Sequence, residues 1–172
     1  MARKKLPVGI LLEDLYEDQE FWYPYFRLKE AGFEVIAIAP ELREYKSKHG
    51  YPAKAEKEVG KIKASKLSAL VIPGGYAPDR MRRNKKMVDL VAEVHKQKKP
   101  VAAICHGPWM LASANILKGK TATSFFSLKD DVVNAGAEWV DKPVVNDKGI
   151  ITSRNPNDLP EFMKALLNAL GR

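Results

Sequence analysis

The chain has 172 residues, of which 45% are apolar and 29% are charged. These proportions are typical of a globular protein and exclude a disordered tail or a fibre, and the length fits one domain over residues 1–172. The single cysteine, Cys105, excludes an intramolecular disulfide framework and a cysteine-rich zinc site, and it favours a reducing compartment.

The net charge of +8 is concentrated in two segments, residues 41–66 with a net charge of +4 and residues 79–99 with +5. Such an excess is compatible with a nucleic-acid surface or with a solvated, salt-bridged face. No aromatic residues interleave with the basic run at 80–86, as a base-stacking surface would require, so we expect no nucleic-acid partner. No apolar run approaches the roughly 18 residues of a membrane helix, and we expect a cytoplasmic protein without a membrane partner.

Short apolar runs predict strands at residues 6–12, 33–39, 69–72 and 100–104. Helical spacing of apolar residues predicts helices at 17–31, 79–98, 107–115, 128–135 and 159–170. Weaker patterns indicate a small hairpin within 41–66, a strand at 121–124 and two strands around a turn at 147–149. This alternation predicts an α/β fold, a doubly wound and mainly parallel sheet between two layers of helices.

In such folds, ligands bind beyond the carboxyl ends of the strands. Cys105 follows one predicted strand directly and is followed by His106, Gly107 and a helix. A cysteine at a strand-to-helix turn is either a small buried apolar residue or a nucleophile whose pKa is lowered by the helix N-terminus. The adjacent histidine and glycine favour the nucleophile.

Two further strand ends point toward the same edge of the sheet. Gly74 and Gly75 follow the strand at 69–72, where paired glycines form either a plain turn or backbone donors for an oxyanion. An acidic cluster follows the first strand, and within it Glu17 opens a helix. Acidic residues at a helix start commonly do no more than stabilise the helix dipole, but Glu17 is placed to reach the same crevice as Cys105.

At these residues the sequence resembles the PfpI intracellular-protease family, which is related to the parkinsonism-associated deglycase and to class I glutamine-amidotransferase-like domains. The matching stretches include YEDQEFWYPYFRLKEAGFEV, LVIPGGYAPDRMR and PVAAICHGPWMLASANILKGKTATSF. The resemblance spans nearly the whole chain. It implies a flavodoxin-like sandwich, no metal, no organic cofactor, and a homo-oligomer that is a dimer and often a hexamer.

The resemblance also implies roles for individual residues. Cys105 matches the nucleophile and His106 the histidine beside it, while Glu17 matches the carboxylate that hydrogen-bonds the thiol. The backbone N–H groups of Gly75 and His106 match the oxyanion hole. Asp79 matches an acid that approaches His106 from a neighbouring subunit, with the alternative that it caps its own helix.

Three functions remain open on these residues. Cys105 and Glu17 are suited to the conversion of small carbonyl compounds, such as methylglyoxal to lactate, or to the repair of glycated protein. Cys105, His106 and Asp79 are suited to peptide hydrolysis in an oligomer. The third function is a non-enzymatic redox or stress sensor, in which the Cys105 thiol is oxidised. We favour the carbonyl enzyme.

Overall fold

The computed structural model describes residues 6–172. Its strands are β1 (Val8–Leu11), β2 (Val35–Ala39), β3 (Glu44–Lys46), β4 (Pro52–Lys54), β5 (Lys57–Glu58), β6 (Ala69–Ile72), β7 (Val101–Ile104), β8 (Thr121–Ala122), β9 (Glu138–Trp139), β10 (Val144–Asp147) and β11 (Ile150–Ser153). Its α-helices are α1 (Asp18–Glu30), α2 (Ala77–Met81), α3 (Lys85–Lys96), α4 (Pro108–Ser113), α5 (Lys129–Asn134) and α6 (Leu159–Ala169). Among these described helices, none has both the length and the apolar character needed to cross a membrane.

Seven strands form the main sheet in the order β10-β11-β7-β6-β1-β2-β5. All neighbours are parallel except β10, which runs antiparallel to β11. Helix α1 packs on α6, and α3 packs on α4, while β7 contacts α6 as well as α3 and α4. The predicted mainly parallel sheet with helices on both faces is confirmed.

The central strands are apolar throughout because helices cover both of their faces. Every residue of β1, β6 and β7 is buried, so these strands carry no alternating polar face. The order of the sheet places the carboxyl ends of these three strands side by side. The three loops that the sequence singles out therefore meet at one edge.

The helix predicted at 79–98 is wrong as a single element, because it is interrupted between Met81 and Lys85. The side chain of Asn84 accepts a hydrogen bond from the backbone N–H of Lys86, which makes Asn84 the N-cap of α3. A short helix, α2, is thereby left immediately after the glycine loop that follows β6. The pairing of β8 with β9 was not anticipated from the sequence either.

The hairpin expected within residues 41–66 is formed by β3 and β4, which pair antiparallel outside the main sheet. It lies against the loop between β1 and α1. The backbone N–H of Leu15 donates to the carbonyl of Lys46 at 2.7 Å, and that of Lys48 donates to the carbonyl of Tyr16 at 3.0 Å. The hairpin turn is therefore held at the same sheet edge as the strand-end loops.

Candidate active site

Cys105 stands on the tight turn that the sequence predicts between β7 and α4. Its backbone has a φ of 61°, a left-handed conformation that is uncommon for residues other than glycine. A Cβ added to Gly107 would lie 2.6 Å from the carbonyl oxygen of Ile72 and 2.9 Å from that of Ile104, so only glycine fits there. The turn exposes 8% of Cys105 at the end of the sheet.

Two backbone donors converge on the Cys105 sulfur. They are the N–H groups of Gly75 and His106, both of which hydrogen-bond to the sulfur. Gly75 has a φ of 73°, and a Cβ added to it would lie 2.5 Å from the carbonyl oxygen of Leu15. Glycine at this position lets its N–H point at the nucleophile, as an oxyanion hole requires.

A carboxyl group that the sequence analysis did not select is packed against the thiol. Glu20, in the first turn of α1, is fully buried, and its Oε2 accepts a 2.7 Å hydrogen bond from the backbone N–H of Gly74. Its Oε1 is buried and has no hydrogen-bond partner among the described residues. The carboxyl and the Cys105 thiol are close enough to shift each other's pKa. Burial raises the pKa of Glu20 to about 7.

The assignment of Glu17 as the carboxylate on the thiol is therefore corrected to Glu20. Glu17 is the N-cap of α1, with an extended backbone, and its Oε2 lies 2.5 Å from Nζ of Lys48 on the hairpin. Glu20 lies three residues later, on the buried stripe of α1 that continues with Pro24 and Leu28. Because this stripe faces the sheet, Glu20 rather than Glu17 is brought to the sulfur.

The pKa of Cys105 moves in the opposite direction from the lowered value expected at a helix N-terminus. Burial and the charge of Glu20 raise it, and the N–H groups of Gly75 and His106 offset this only in part. The helix that follows is short, at six residues. Cys105 and Glu20 therefore titrate as a pair, in which transfer of the thiol proton to the carboxylate gives a thiolate beside a neutral acid.

The imidazole of His106 lies beside the sulfur, with Nδ1 3.2 Å from Sγ. Its ring stacks on Phe125 at a centroid distance of 5.1 Å and meets the edge of Trp109 at 5.2 Å. Burial and the nearby charge of Lys48 lower the pKa of His106, which favours the neutral ring at physiological pH. The ring can accept a proton but carries no resting charge.

Asp79 does not reach His106 within one protomer. Its half-exposed carboxylate pairs with Arg83, one helical turn further on. Nor does it cap α2, because the N-cap position is Tyr76 and has no side-chain hydrogen bond. Across residues 6–172 of a single protomer, no carboxylate contacts the His106 ring, and an acid for that ring would have to come from another subunit.

The other charged group at the site edge is Lys48, which no sequence signal distinguishes from the other lysines of its segment. Next to it, oxygen and nitrogen atoms of Glu17, Asp18 and His49 lie within 4.8 Å of one another, close enough to hold a cation. These groups are already engaged: Nδ1 of His49 lies 2.7 Å from Oδ2 of Asp18, and Glu17 pairs with Lys48. The arrangement is an ion pair flanked by hydrogen bonds, and it fastens the hairpin to the start of α1.

Comparison with known proteins shows relatives that match nearly the whole chain. The profile of the DJ-1/PfpI family matches residues 7–169. The chain is 43% identical to a protein of Pyrococcus furiosus named Deglycase PfpI, over 90% of this chain and 93% of the relative. It is 40% identical to a protein of Bacillus subtilis named Putative cysteine protease YraA, over 95% of this chain and 97% of the relative.

The fold is also shared with a solved structure from Anabaena variabilis, a two-domain protein containing DJ-1/ThiJ/PfpI-like and ferritin-like domains. The TM-score is 0.95 at 45% identity, over 97% of this chain and 48% of the longer chain. The family match extends over nearly the whole chain and the relatives are well above 30% identical. The chain therefore belongs to the DJ-1/PfpI family.

Proposed function

We propose that the chain is a cysteine-dependent enzyme that acts on small carbonyl compounds, of the deglycase or methylglyoxal-to-lactate type. The observation that carries this proposal is the contact between Cys105 and the buried carboxyl of Glu20, whose pKa is raised to about 7. A carboxyl that both accepts and donates a proton near neutral pH is what carbonyl addition at sulfur needs. The name Deglycase PfpI of a 43% identical relative supports the same reaction class.

The first step is addition of the thiol to an aldehyde. The Cys105 proton passes to Glu20, the sulfur forms a bond to the aldehyde carbon, and the carbonyl π electrons move to the oxygen. The N–H groups of Gly75 and His106 lie beside the sulfur, and they stabilise the negative charge that develops on the oxygen of the bound aldehyde. Protonated Glu20 returns the proton to this oxygen, which gives a hemithioacetal.

The second step is an internal redox exchange between the two carbonyl carbons of the substrate. With methylglyoxal, the Glu20 carboxylate removes the proton on C1 and returns it to C2 through an enediol, while the proton of the C1 hydroxyl passes to the C2 oxygen. C1 is thereby oxidised to a thioester and C2 is reduced to an alcohol, so no external oxidant is needed. Water then hydrolyses the thioester, which releases lactate and restores the thiol, and the net reaction is methylglyoxal plus water to lactate and a proton.

Peptide hydrolysis is the second candidate, and the 3.2 Å distance from His106 Nδ1 to the Cys105 sulfur favours it. In this reaction His106 takes the thiol proton, the thiolate attacks the peptide carbonyl, and the imidazole returns the proton to the leaving amine. Water then hydrolyses the resulting thioester, which releases the acid product and restores the thiol. An acid that orients His106 would have to come from a neighbouring subunit, for which Asp79 is our proposal. This activity therefore requires an oligomer.

One assay series tests the two candidates. The purified protein and the Cys105→Ala variant receive methylglyoxal, a glycated amine, and a fluorogenic peptide. We expect the wild type to form lactate from methylglyoxal and to release the free amine from its glycated form. We expect neither product from Cys105→Ala. Peptide cleavage without any carbonyl turnover would reject the carbonyl proposal, and activity that survives in Cys105→Ala would reject both.

A further inference from the structure

Backbone contacts of the β3–β4 hairpin, as well as its own side chain, keep Lys48 at the site. It lies in the turn between β3 and β4, and its backbone N–H donates to the carbonyl of Tyr16, just before α1. Ser47 beside it donates its hydroxyl to Oδ1 of Asp18 at 2.6 Å. The hairpin thus fixes where the lysine stem leaves the backbone.

A chain of contacts connects the Lys48 ammonium to the nucleophile. Its Nζ lies 2.5 Å from Oε2 of the buried Glu17. The backbone N–H of Glu17 donates to the carbonyl of Gly74 at 3.2 Å, and the N–H of Gly74 donates to the Glu20 carboxyl that faces the thiol. Glu17 therefore connects the Lys48 ammonium to the glycine loop that carries the proposed oxyanion hole.

Lys48 supplies the positive charge next to the acidic groups around Cys105 and Glu20. The groups that face the pair are Glu17 at the N-cap of α1, His106 in the turn after β7 and Lys48 in the hairpin. Glu17 raises the pKa of Glu20 and Lys48 lowers it, while His106 is held in its neutral form. In the described part of the chain, Lys48 is thus the cation that offsets two carboxyl groups and a thiol.

We infer that Lys48 is a positioning residue that keeps the Cys105–Glu20 pair singly ionised, and hence nucleophilic, at neutral pH. A positive charge favours the deprotonated form of a nearby acid, so its loss moves ionisation of the pair to higher pH. Glu17 serves this role indirectly, because its carboxylate holds the ammonium in place. The inference rests on the proposed function only in taking Cys105 as the nucleophile.

The test measures the rate of Cys105 alkylation by iodoacetamide between pH 5 and pH 10, which needs no substrate. The proteins are the wild type, Lys48→Met, Lys48→Arg and Lys46→Met, the last of which removes an exposed lysine from the same hairpin. We expect Lys48→Met to shift the profile upward by about one pH unit, which is roughly tenfold slower labelling at pH 7. Lys48→Arg keeps a positive charge at this position and should keep the wild-type profile. Lys46→Met should also leave the profile unchanged.

A Lys48→Met profile that overlays the wild type would overturn the inference. Equal shifts in Lys48→Met and Lys46→Met would overturn it too, because they would show an effect of net charge rather than of position. Circular dichroism establishes that each variant is folded, and Lys48→Gln replaces Lys48→Met if the latter does not fold. A shifted profile in a protein that turns over no carbonyl compound would reject the proposed function and leave the inference standing.

Discussion

The backbone N–H of Gly74 donates a 2.7 Å hydrogen bond to Oε2 of Glu20, in a position fully removed from solvent. This bond joins the first turn of α1 to the loop that follows β6. It occupies Oε2 and leaves Oε1 buried without a hydrogen-bond partner among the described residues, in a carboxyl whose pKa the neighbouring Cys105 thiol also shifts. A Cβ added to Gly74 would lie 2.6 Å from this same Oε2 and 2.7 Å from Cβ of Cys105, so the contact depends on glycine.

Replacing Glu20 separates its role from that of Glu17. We expect Glu20→Gln to lower kcat for methylglyoxal by about 100-fold or more, the loss typical of a missing acid–base group. Glu17→Gln keeps a hydrogen-bonding side chain beside Lys48 and should lose no more than about tenfold. Steady-state lactate formation measures both, and equal losses in the two variants would contradict the assignment of proton transfer to Glu20.

Glu20 also makes folding stability depend on pH. Its folded pKa is raised to about 7 from an ordinary value near 4.5, so the native state holds this proton more tightly than the unfolded chain does. The resulting stability is fully present below about pH 4.5 and is lost as the pH rises through 7. At pH 8 and above, the wild type carries a destabilising cost of about 3 kcal/mol that Glu20→Gln lacks.

We therefore expect Glu20→Gln to be more stable than the wild type at pH 8, with the difference shrinking toward pH 5. Urea unfolding followed by circular dichroism at both pH values measures this. A gap that stays constant between pH 5 and pH 8 would mean that the Glu20 carboxyl is not the group that titrates.

The sequence predicts the sheet because its central strands are covered on both faces and therefore read as unbroken apolar runs. It also predicts the elbow at Cys105, since a cysteine followed by His-Gly-Pro at a strand end has few structural solutions. It fails to separate Glu17 from Glu20, because both carboxyl groups lie at the start of α1 although one is the N-cap and the other is in the first turn. A usable signal exists: Glu20, Pro24 and Leu28 are spaced by four residues, which places a carboxyl on an otherwise apolar stripe.

Lys48 could not have been predicted in this way. Its place depends on how the β3–β4 hairpin folds back onto the loop before α1, and that contact joins residues about thirty positions apart. No local pattern distinguishes it from Lys46 or Lys54. The direction of the Cys105 pKa was also missed, because burial by the surrounding side chains outweighs the effect of a helix of only six residues.

The role of Gly75 in the oxyanion hole can be tested by comparing Gly75→Ala with Gly119→Ala. Gly75→Ala introduces a side chain at a φ of 73° and also forces a Cβ to 2.5 Å from the backbone oxygen of Leu15. Gly119→Ala meets a similar φ of 71° but has no atom within 4 Å of the new Cβ. Backbone strain alone costs about 1–2 kcal/mol in either variant.

We expect Gly119→Ala to lose only this strain energy and to keep its activity. Gly75→Ala should be destabilised further and should lose at least about 100-fold in kcat, because the displaced N–H no longer faces the oxyanion. Thermal melting and lactate formation are the measurements. Full activity in Gly75→Ala would show that this N–H does not contribute to the oxyanion hole.

Asp79 distinguishes the two candidate reactions. Carbonyl turnover through Cys105 and Glu20 uses residues of one protomer, so Asp79→Asn should keep it within about tenfold. Peptide cleavage that needs Asp79 of a neighbouring subunit should instead be lost in this variant, and in the wild type it should fall when dilution dissociates the oligomer. Both activities are measured across a range of protein concentrations, with the oligomeric state followed by analytical ultracentrifugation.

The matched control for this variant is Asp89→Asn. Asp89 forms an exposed ion pair with Lys85 one helical turn away, as Asp79 does with Arg83, so both variants lose the same kind of contact. Such exposed pairs contribute about 0–1 kcal/mol, and neither variant should melt much earlier than the wild type. Because only Asp79 is proposed to reach a partner's histidine, Asp89→Asn should retain both activities. Loss of both activities in an Asp79→Asn protein that still assembles would contradict this division between the two reactions.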